Sequence, residues 1–451
     1  MKGLFKLSIG FISITALALS NGISVGGAQS PINKDLQAAI DSSAEGEVMV
    51  LASGEYEGPI IINKPITIRA EDGGTVTLMN RTEQAAVTIA ADRVALVGLT
   101  IHDVRLKEQP SISIVKSDEA LLHKLHIRTG SYGIRATDSN HMTIREALIE
   151  WGIPEEERKV KLSQKGNGID LYHSHDNRLL QNTILSMHDG IYMENSDRNV
   201  VEDNRFERLR YGVHCMYTAD ALIRGNTGQY NITGAMIMAV RGAEVSDNQF
   251  TRQNENVNSQ GILLFDAHDS VVQNNEVAGN RVGLYVEQST GNLIAGNQVL
   301  GNFIGLQLLK AENNEMTDNV FAGNVVQAEA RQSTSNTLVS NYWDSFQGID
   351  ADGDGQSDLQ YAISPLFQSI VKAKPVFQLF FQSPSFVFLE GLYQSDRGSW
   401  TADSGPLMKP SLSRAGGQAM QTGTNLMTAA AGLLLLLIAI SILLLMGVRK
   451  P

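Results

Sequence analysis

Residues 168–238 read GIDLYHSHDNRLLQNTILSMHD GIYMENSDRNVVEDNRFERLRY GVHCMYTADALIRGNTGQYNIT GAMIM, broken here at each recurring glycine. A glycine followed by an apolar residue returns at Gly168, Gly190, Gly212, Gly234, Gly261, Gly283 and Gly305, in steps of 22, 22, 22, 27, 22 and 22. Asparagines at Asn182, Asn204, Asn226, Asn248, Asn275, Asn297, Asn319 and Asn341 keep the same register, with one long step that is also 27. A single five-residue insertion around residues 255–259 accounts for both columns. A period of 22 fits one coil of a solenoid, in which short strands joined by tight turns stack on their equivalents in the next coil. Equivalent positions then form ladders with a spacing of about 4.8 Å. The expected fold is therefore an all-β, right-handed parallel β-helix, the hand being the one parallel crossovers favour. Glycine and asparagine tolerate left-handed backbone and are expected at the coil corners.

Period-two alternation assigns the faces. One and three residues after the glycines stand Ile191/Met193, Val213/Cys215, Ala235/Ile237 and Ile262/Leu264, which point inward as core. Two and four residues after them stand Asp170/Tyr172, Tyr192/Glu194, His214/Met216, Met236/Met238, Leu263/Phe265 and Tyr285/Glu287, which are expected on the outside, in solvent. Cys215 is thereby a packing residue. As the lone cysteine it also excludes an intramolecular disulfide and any multi-cysteine metal site.

The repeat weakens towards both ends. Residues 36–68 predict a short capping helix and then strands, covering the open end of the solenoid. Residues 151–165, rich in Glu, Lys and Arg, predict a loop inserted between coils. The expected organisation is a signal peptide at 1–28, a cap with irregular coils at 29–130 and regular coils at 131–345. An extension with an acidic loop and linker follows at 346–425, then a transmembrane helix at 426–448. The signal is read from Lys2 and Lys6 before an apolar run and a small-residue stretch ending at Ala28. The C-terminal run carries no charge, has the length of a bilayer core, and is followed by Arg449 and Lys450. The positive-inside rule then puts its end in the cytoplasm and the body of the chain outside the cytoplasmic membrane. A net charge of −12 argues against a nucleic-acid partner.

Three constellations bear on chemistry. His214, Met216, Met236 and Met238 fall on adjacent coils of the outer face. Imidazole and thioether groups suit a soft ion such as Cu(I). The same residues, continued by Tyr192, Leu263 and Phe265, also suit an apolar patch that docks a partner. Asp350, Asp352, Asp354 and Asp358, with Gly355 at the sixth position, match a calcium loop, although Tyr361 stands where a bidentate carboxylate closes such loops. The alternative is a plain acidic turn. Asp266-Ala267-His268-Asp269, with His173, His175 and His188 on other coils, is near the acid–base turn of polysaccharide epimerases, or else a polar turn.

Several stretches together carry a family resemblance. The Gly-Ile-x-Leu-Tyr coil at Gly168, Asp189-Gly190-Ile191-Tyr192 and Arg210-Tyr211-Gly212-Val213-His214 resemble the NosD family, which matures nitrous oxide reductase. So do Asn341-Tyr342-Trp343-Asp344 with the acidic run that follows, and the extension from Ser364-Pro365-Leu366 to Phe380-Phe381-Gln382-Ser383-Pro384. The resemblance implies a periplasmic, non-enzymatic subunit of an ABC-type copper-maturation complex. Its implied partners are the permease with its ATPase, a copper chaperone and apo nitrous oxide reductase, with copper bound transiently. Phe380 and Phe381 would lie in the permease-docking segment. The C-terminal membrane helix departs from the family pattern and is read here as an anchor. The rival reading is a carbohydrate-active β-helix enzyme of epimerase or lyase type.

Overall fold

The computed structural model describes residues 35–156, 158–364, 370, 388–389 and 400–410. Within them the chain is a parallel β-solenoid. A seven-residue helix, Leu36–Ser42, opens it; the Asp35 side chain accepts the Ala38 N–H at 3.0 Å and caps the helix start. Its buried Leu36 and Ile40 lie on the open end of the first coil. The following coils supply strands to three sheets of 15, 13 and 12 strands, parallel throughout except for the antiparallel pair Tyr361–Ala362 and Ala402–Asp403 at the end of the largest. The first coil is Val48–Leu51, Gly54–Glu57 and Ile60–Ile62, and the same three sheets continue through residue 130 without a break.

Insertions leave the coils in register. Partners across the 152–165 loop are 35 residues apart instead of 22, as in the His175 N–H to Asn140 bond. Those across the 255–259 loop are 27 apart. The loops go outward and the ladder closes behind them.

The two diagnostic columns owe their residues to causes other than left-handed backbone. None of Asn182, Asn204, Asn226, Asn248, Asn275, Asn297, Asn319 and Asn341 has positive φ; the residue before each one does. The asparagines are buried, and their amides form a continuous ladder. Asn226 shows the pattern. Its Oδ1 accepts the N–H of Asn204 at 2.9 Å and the Asn204 Nδ2–H at 3.0 Å, and its own Nδ2 donates to Asn248 Oδ1 at 2.9 Å and to the Val201 carbonyl at 2.9 Å. Each amide thus satisfies backbone groups at a corner, where sheet pairing is interrupted. The glycines are required by close approach: a Cβ on Gly212 would lie 2.6 Å from the Gly234 carbonyl oxygen and 3.2 Å from the core ring of Phe206.

The ladder ends on a carboxylate. Residues 400–410 return to the last coil, where Ala402–Asp403 pairs with Thr337–Val339 on one side and Tyr361–Ala362 on the other. Buried Asp403 accepts the Asn341 N–H at 3.1 Å, the Asn341 Nδ2–H at 2.9 Å and the Trp343 Nε1–H at 3.0 Å, all through Oδ2. Trp343 in turn stacks on Phe321 at 4.2 Å and on Tyr361 at 4.5 Å. Among the described residues no helix is long and apolar enough to cross a membrane. The expected signal peptide and transmembrane helix, and Phe380 and Phe381, lie outside the described residues.

Removing Asp403 strands four buried donors, the Gly405 N–H that Oδ1 accepts at 3.1 Å being the fourth, so Asp403→Ala is expected to lower unfolding stability by about 2–3 kcal/mol, and Asp403→Asn, which keeps one acceptor, by about 1 kcal/mol. Urea unfolding followed by far-UV circular dichroism measures both. Equal midpoints for all three proteins would show that the ladder needs no terminal acceptor.

Candidate functional site

The site lies on the outer face of the third sheet, across strands Ile169–Tyr172, Asp189–Glu194, Tyr211–Met216, Thr233–Met238, Gln260–Phe265 and Val282–Glu287. Strand register fixes two columns. One runs Asp170, Tyr192, His214, Met236, Leu263, Tyr285; the other runs Tyr172, Glu194, Met216, Met238, Phe265, Glu287. His214 and Met236 are direct neighbours, as are Met216 and Met238, so the four candidate residues make a square. Its sides are about 4.8 Å between strands and about 7 Å along them. Cys215 faces the opposite way into the core, and burial pushes its thiol up to about 12. That removes it as a thiolate ligand.

Most of the first column is buried, contrary to the alternation-based expectation. Asp170 is fully buried, and His214, Met236 and Leu263 are only 6–9% exposed, whereas Tyr192, Met216, Met238 and Phe265 are half-buried. For His214 the covering groups are plain. The rings of Tyr192 and Tyr211 stand edge-on to the imidazole, each with its centroid 4.9 Å away. Tyr192 donates its hydroxyl hydrogen to Glu194 at 2.5 Å. Burial, then that carboxylate, raises the Tyr192 phenol and keeps it protonated.

Beneath His214 lies a charged pair that alternation alone did not reveal. Asp189, fully buried, has Oδ2 3.1 Å from His214 Nδ1. Arg210 grips the same carboxylate with both ends of its fork, Nε to Oδ1 at 2.8 Å and Nη2 to Oδ2 at 2.6 Å. Burial pushes the Asp189 carboxyl up, but Arg210 and His214 outweigh it and hold the group below the ordinary carboxylate range. The other ring nitrogen, His214 Nε2, is shut off from solvent and has no hydrogen-bond partner among the described residues. Counting forward from the glycine missed Asp189 because alternation breaks there. Gly190 and Ile191 both turn inward, the glycine against Phe206, so the residue before the glycine joins the outer face. The signal was the register of Asp189 with Tyr211, three positions ahead of His214.

A second buried carboxylate lies at the N-terminal edge of the column. Asp170 accepts from Asn167 Nδ2 at 2.7 Å and sits 3.4 Å from Arg135. Burial pushes its carboxyl up to about 6, against the pull of Asn167 and Arg135.

The other constellations are dispersed. One carboxylate oxygen each from Asp350, Asp352 and Asp354 lies within 4.8 Å of the others, while Asp358 is outside that group and accepts the Ala351 N–H at 2.8 Å. Asp350 takes the amides of Gly353 and Gly355, at 2.6 and 3.0 Å. Tyr361, at the closing position, stacks on Trp343 instead of facing the loop. His268 bonds Asp266 at 3.0 Å on a surface turn, and Asp269 pairs with Arg241. His175 Nδ1 accepts the Asp197 N–H at 3.0 Å, and burial lowers the His188 imidazole.

Among solved structures, the A-module of an Azotobacter vinelandii mannuronan C-5 epimerase is similar at 15% identity, covering 68% of this chain and 96% of that one, with a TM-score of 0.49. A Yersinia enterocolitica family 28 exopolygalacturonase is similar at 10% identity, covering 67% and 74%, TM-score 0.49. An Erwinia carotovora polygalacturonase is similar at 11%, covering 69% and 95%, TM-score 0.46. These are likenesses of coil shape and say nothing of chemistry. No curated protein sequence matches the chain.

Asp170 yields a pH prediction. Its folded pKa of about 6 exceeds the ordinary 3.8, so its contribution to stability is fully present below pH 3.8 and is lost as pH rises through 6. Between pH 4 and 7.5 the parent should lose on the order of 2–3 kcal/mol relative to Asp170→Asn, which cannot ionise. Urea midpoints across that range test this; a constant difference would refute it.

The stretch that holds Asp170, Asp189, His214 and the three methionines is the stretch that a family model covers: residues 152–350 match the model described as periplasmic copper-binding protein (NosD), the family this sequence resembles.

Proposed function

We propose that the chain handles Cu(I) in transit outside the cytoplasmic membrane, receiving it on His214 Nε2 and the thioethers of Met216, Met236 and Met238. The observation that carries this reading is the buried, unpartnered Nε2 in a square with three methionines. An orphaned buried nitrogen costs about 1–3 kcal/mol, which a ligand would recover. The donors are soft and neutral, and the nearby carboxylates of Asp189 and Glu194 are already engaged. Such a set suits a monovalent soft cation and serves a hard divalent one poorly. Thioethers bind without releasing protons, so copper can be exchanged ligand by ligand with another methionine- or histidine-bearing protein.

The matched family model, described as periplasmic and copper-binding, supports the cargo and the compartment. The further reading rests on the sequence resemblance. In it, this subunit belongs to an ABC-type complex that supplies copper to apo nitrous oxide reductase, with a chaperone delivering the metal. The half-buried Tyr192 and Phe265, with Leu263, border the square and form the surface on which such a partner would dock. The membrane run at 426–448 would hold the chain near the permease.

Anaerobic Cu(I) titration against a chromogenic chelator tests the proposal. Wild type is expected to bind one Cu(I), and His214→Ala and Met236→Ala are each expected to weaken binding at least tenfold, the equivalent of about 1.4 kcal/mol. X-ray absorption should show mixed nitrogen and sulfur neighbours. Wild-type affinity in both variants would overturn the site. Turnover of a uronate polysaccharide that is lost in His268→Ala would favour the enzymatic rival instead.

A further inference from the structure

We infer that Asp189 and Arg210 form a positioning pair that presents His214 to its ligand through Nε2; the inference rests on the copper reading above and specifies how the site is preset. A neutral imidazole has one N–H and one lone pair, and the hydrogen bond at one nitrogen decides which is which. Asp189 Oδ2 lies 3.1 Å from Nδ1. An ionised carboxylate only accepts, so Nδ1 carries the hydrogen and the lone pair is left on Nε2. That is the nitrogen with no partner, on a side chain only 8% exposed.

Arg210 gives the carboxylate one fixed plane. Its two contacts, 2.8 and 2.6 Å, occupy both oxygens in a bidentate fork. The arginine is itself held: its N–H donates to the His188 carbonyl at 2.6 Å, and its guanidinium lies 4.3 Å from the centre of the Tyr211 ring. The rings of Tyr211 and Tyr192 both stand edge-on to the imidazole, each with its centroid 4.9 Å away, and restrict its plane. Charge follows the same logic. Arg210 cancels Asp189, so the carboxylate orients the histidine without offering an oxygen to the metal or adding net negative charge that would favour divalent ions. Carboxylate partners of this kind orient metal-binding histidines, and their loss typically weakens binding about 10–100-fold.

Two measurements on the full chain, purified in mild detergent, separate this inference from the copper reading. The first needs no metal: nitrogen-15 NMR of histidine-labelled protein, with the His214 resonances assigned by difference from His214→Ala. Wild type is expected to show His214 as the Nδ1–H tautomer, and Asp189→Asn to lose that preference. The second is the anaerobic chelator competition, in which Asp189→Asn should weaken Cu(I) binding about 10–100-fold while its thermal unfolding midpoint stays near that of wild type. An Nε2–H tautomer in wild type, or unchanged tautomer and affinity in Asp189→Asn, overturns the inference. If Asp189→Asn fails to fold, the wild-type tautomer alone decides it. Failure of wild type to bind Cu(I), with the Nδ1–H tautomer present, would sink the copper reading and leave the positioning pair standing.

Discussion

The structure depends on one repeated contact, the side-chain amide of an asparagine bonded to the asparagine of the next coil. At a coil corner the strands part and backbone N–H groups lose their sheet partners. Asn182, Asn204, Asn226 and their successors supply the missing acceptors: each Oδ1 takes an N–H from the coil before, while each Nδ2 passes a hydrogen to the coil after. A chain of like amides has a direction and must stop somewhere, and here it stops on Asp403, which only accepts. The contact also fixes the period. A coil one residue longer would misplace the amide and leave buried donors unmet, so extra residues, as at 152–165 and 255–259, must loop outward.

Constant coils turn positions in sequence into columns in space. Met236 therefore stands beside His214, and Met238 beside Met216, although 22 residues separate the members of each pair. The glycine column adds a second consequence. Because Gly190 and Gly212 bring neighbouring backbones together and turn inward, the residue before each glycine swings to the outer face. This places Asp189 under His214 and Tyr211 beside it. A packing requirement of the core thus sets the surroundings of a buried histidine on the outer face of the sheet.

The chemistry is a matter of which charges remain available. Two carboxylates lie close to the histidine–methionine square, yet Asp189 is held by Arg210 and Glu194 by the Tyr192 hydroxyl. In the copper reading proposed above, the donors are one imidazole nitrogen and three thioether sulfurs, a soft and polarizable set. A match to a family described as periplasmic and copper-binding fits that set. The shape shared with polysaccharide epimerases and polygalacturonases has no bearing on it, since a solenoid carries whatever its outer columns hold.

The sequence by itself determined the solenoid, the coil length, the sites of insertion, the inward burial of Cys215 and Met193, and the adjacency of His214 with the three methionines. All of these follow from periodicity, and periodicity is local information repeated. Only the tertiary structure decided the rest. It kept the asparagines at the corners but for a hydrogen-bonded ladder, and the glycines for close contact, in place of left-handed backbone. It also buried His214, Met236 and Leu263 where alternation had put them in solvent, brought three of the four loop aspartates together and left Asp358 apart. Above all it joined Asp189 and His214, on neighbouring strands, with Arg210, in the bend before the second of them. Such contacts depend on how side chains of different lengths lean across a column and on where the strand kinks, and neither is written in a repeat of 22.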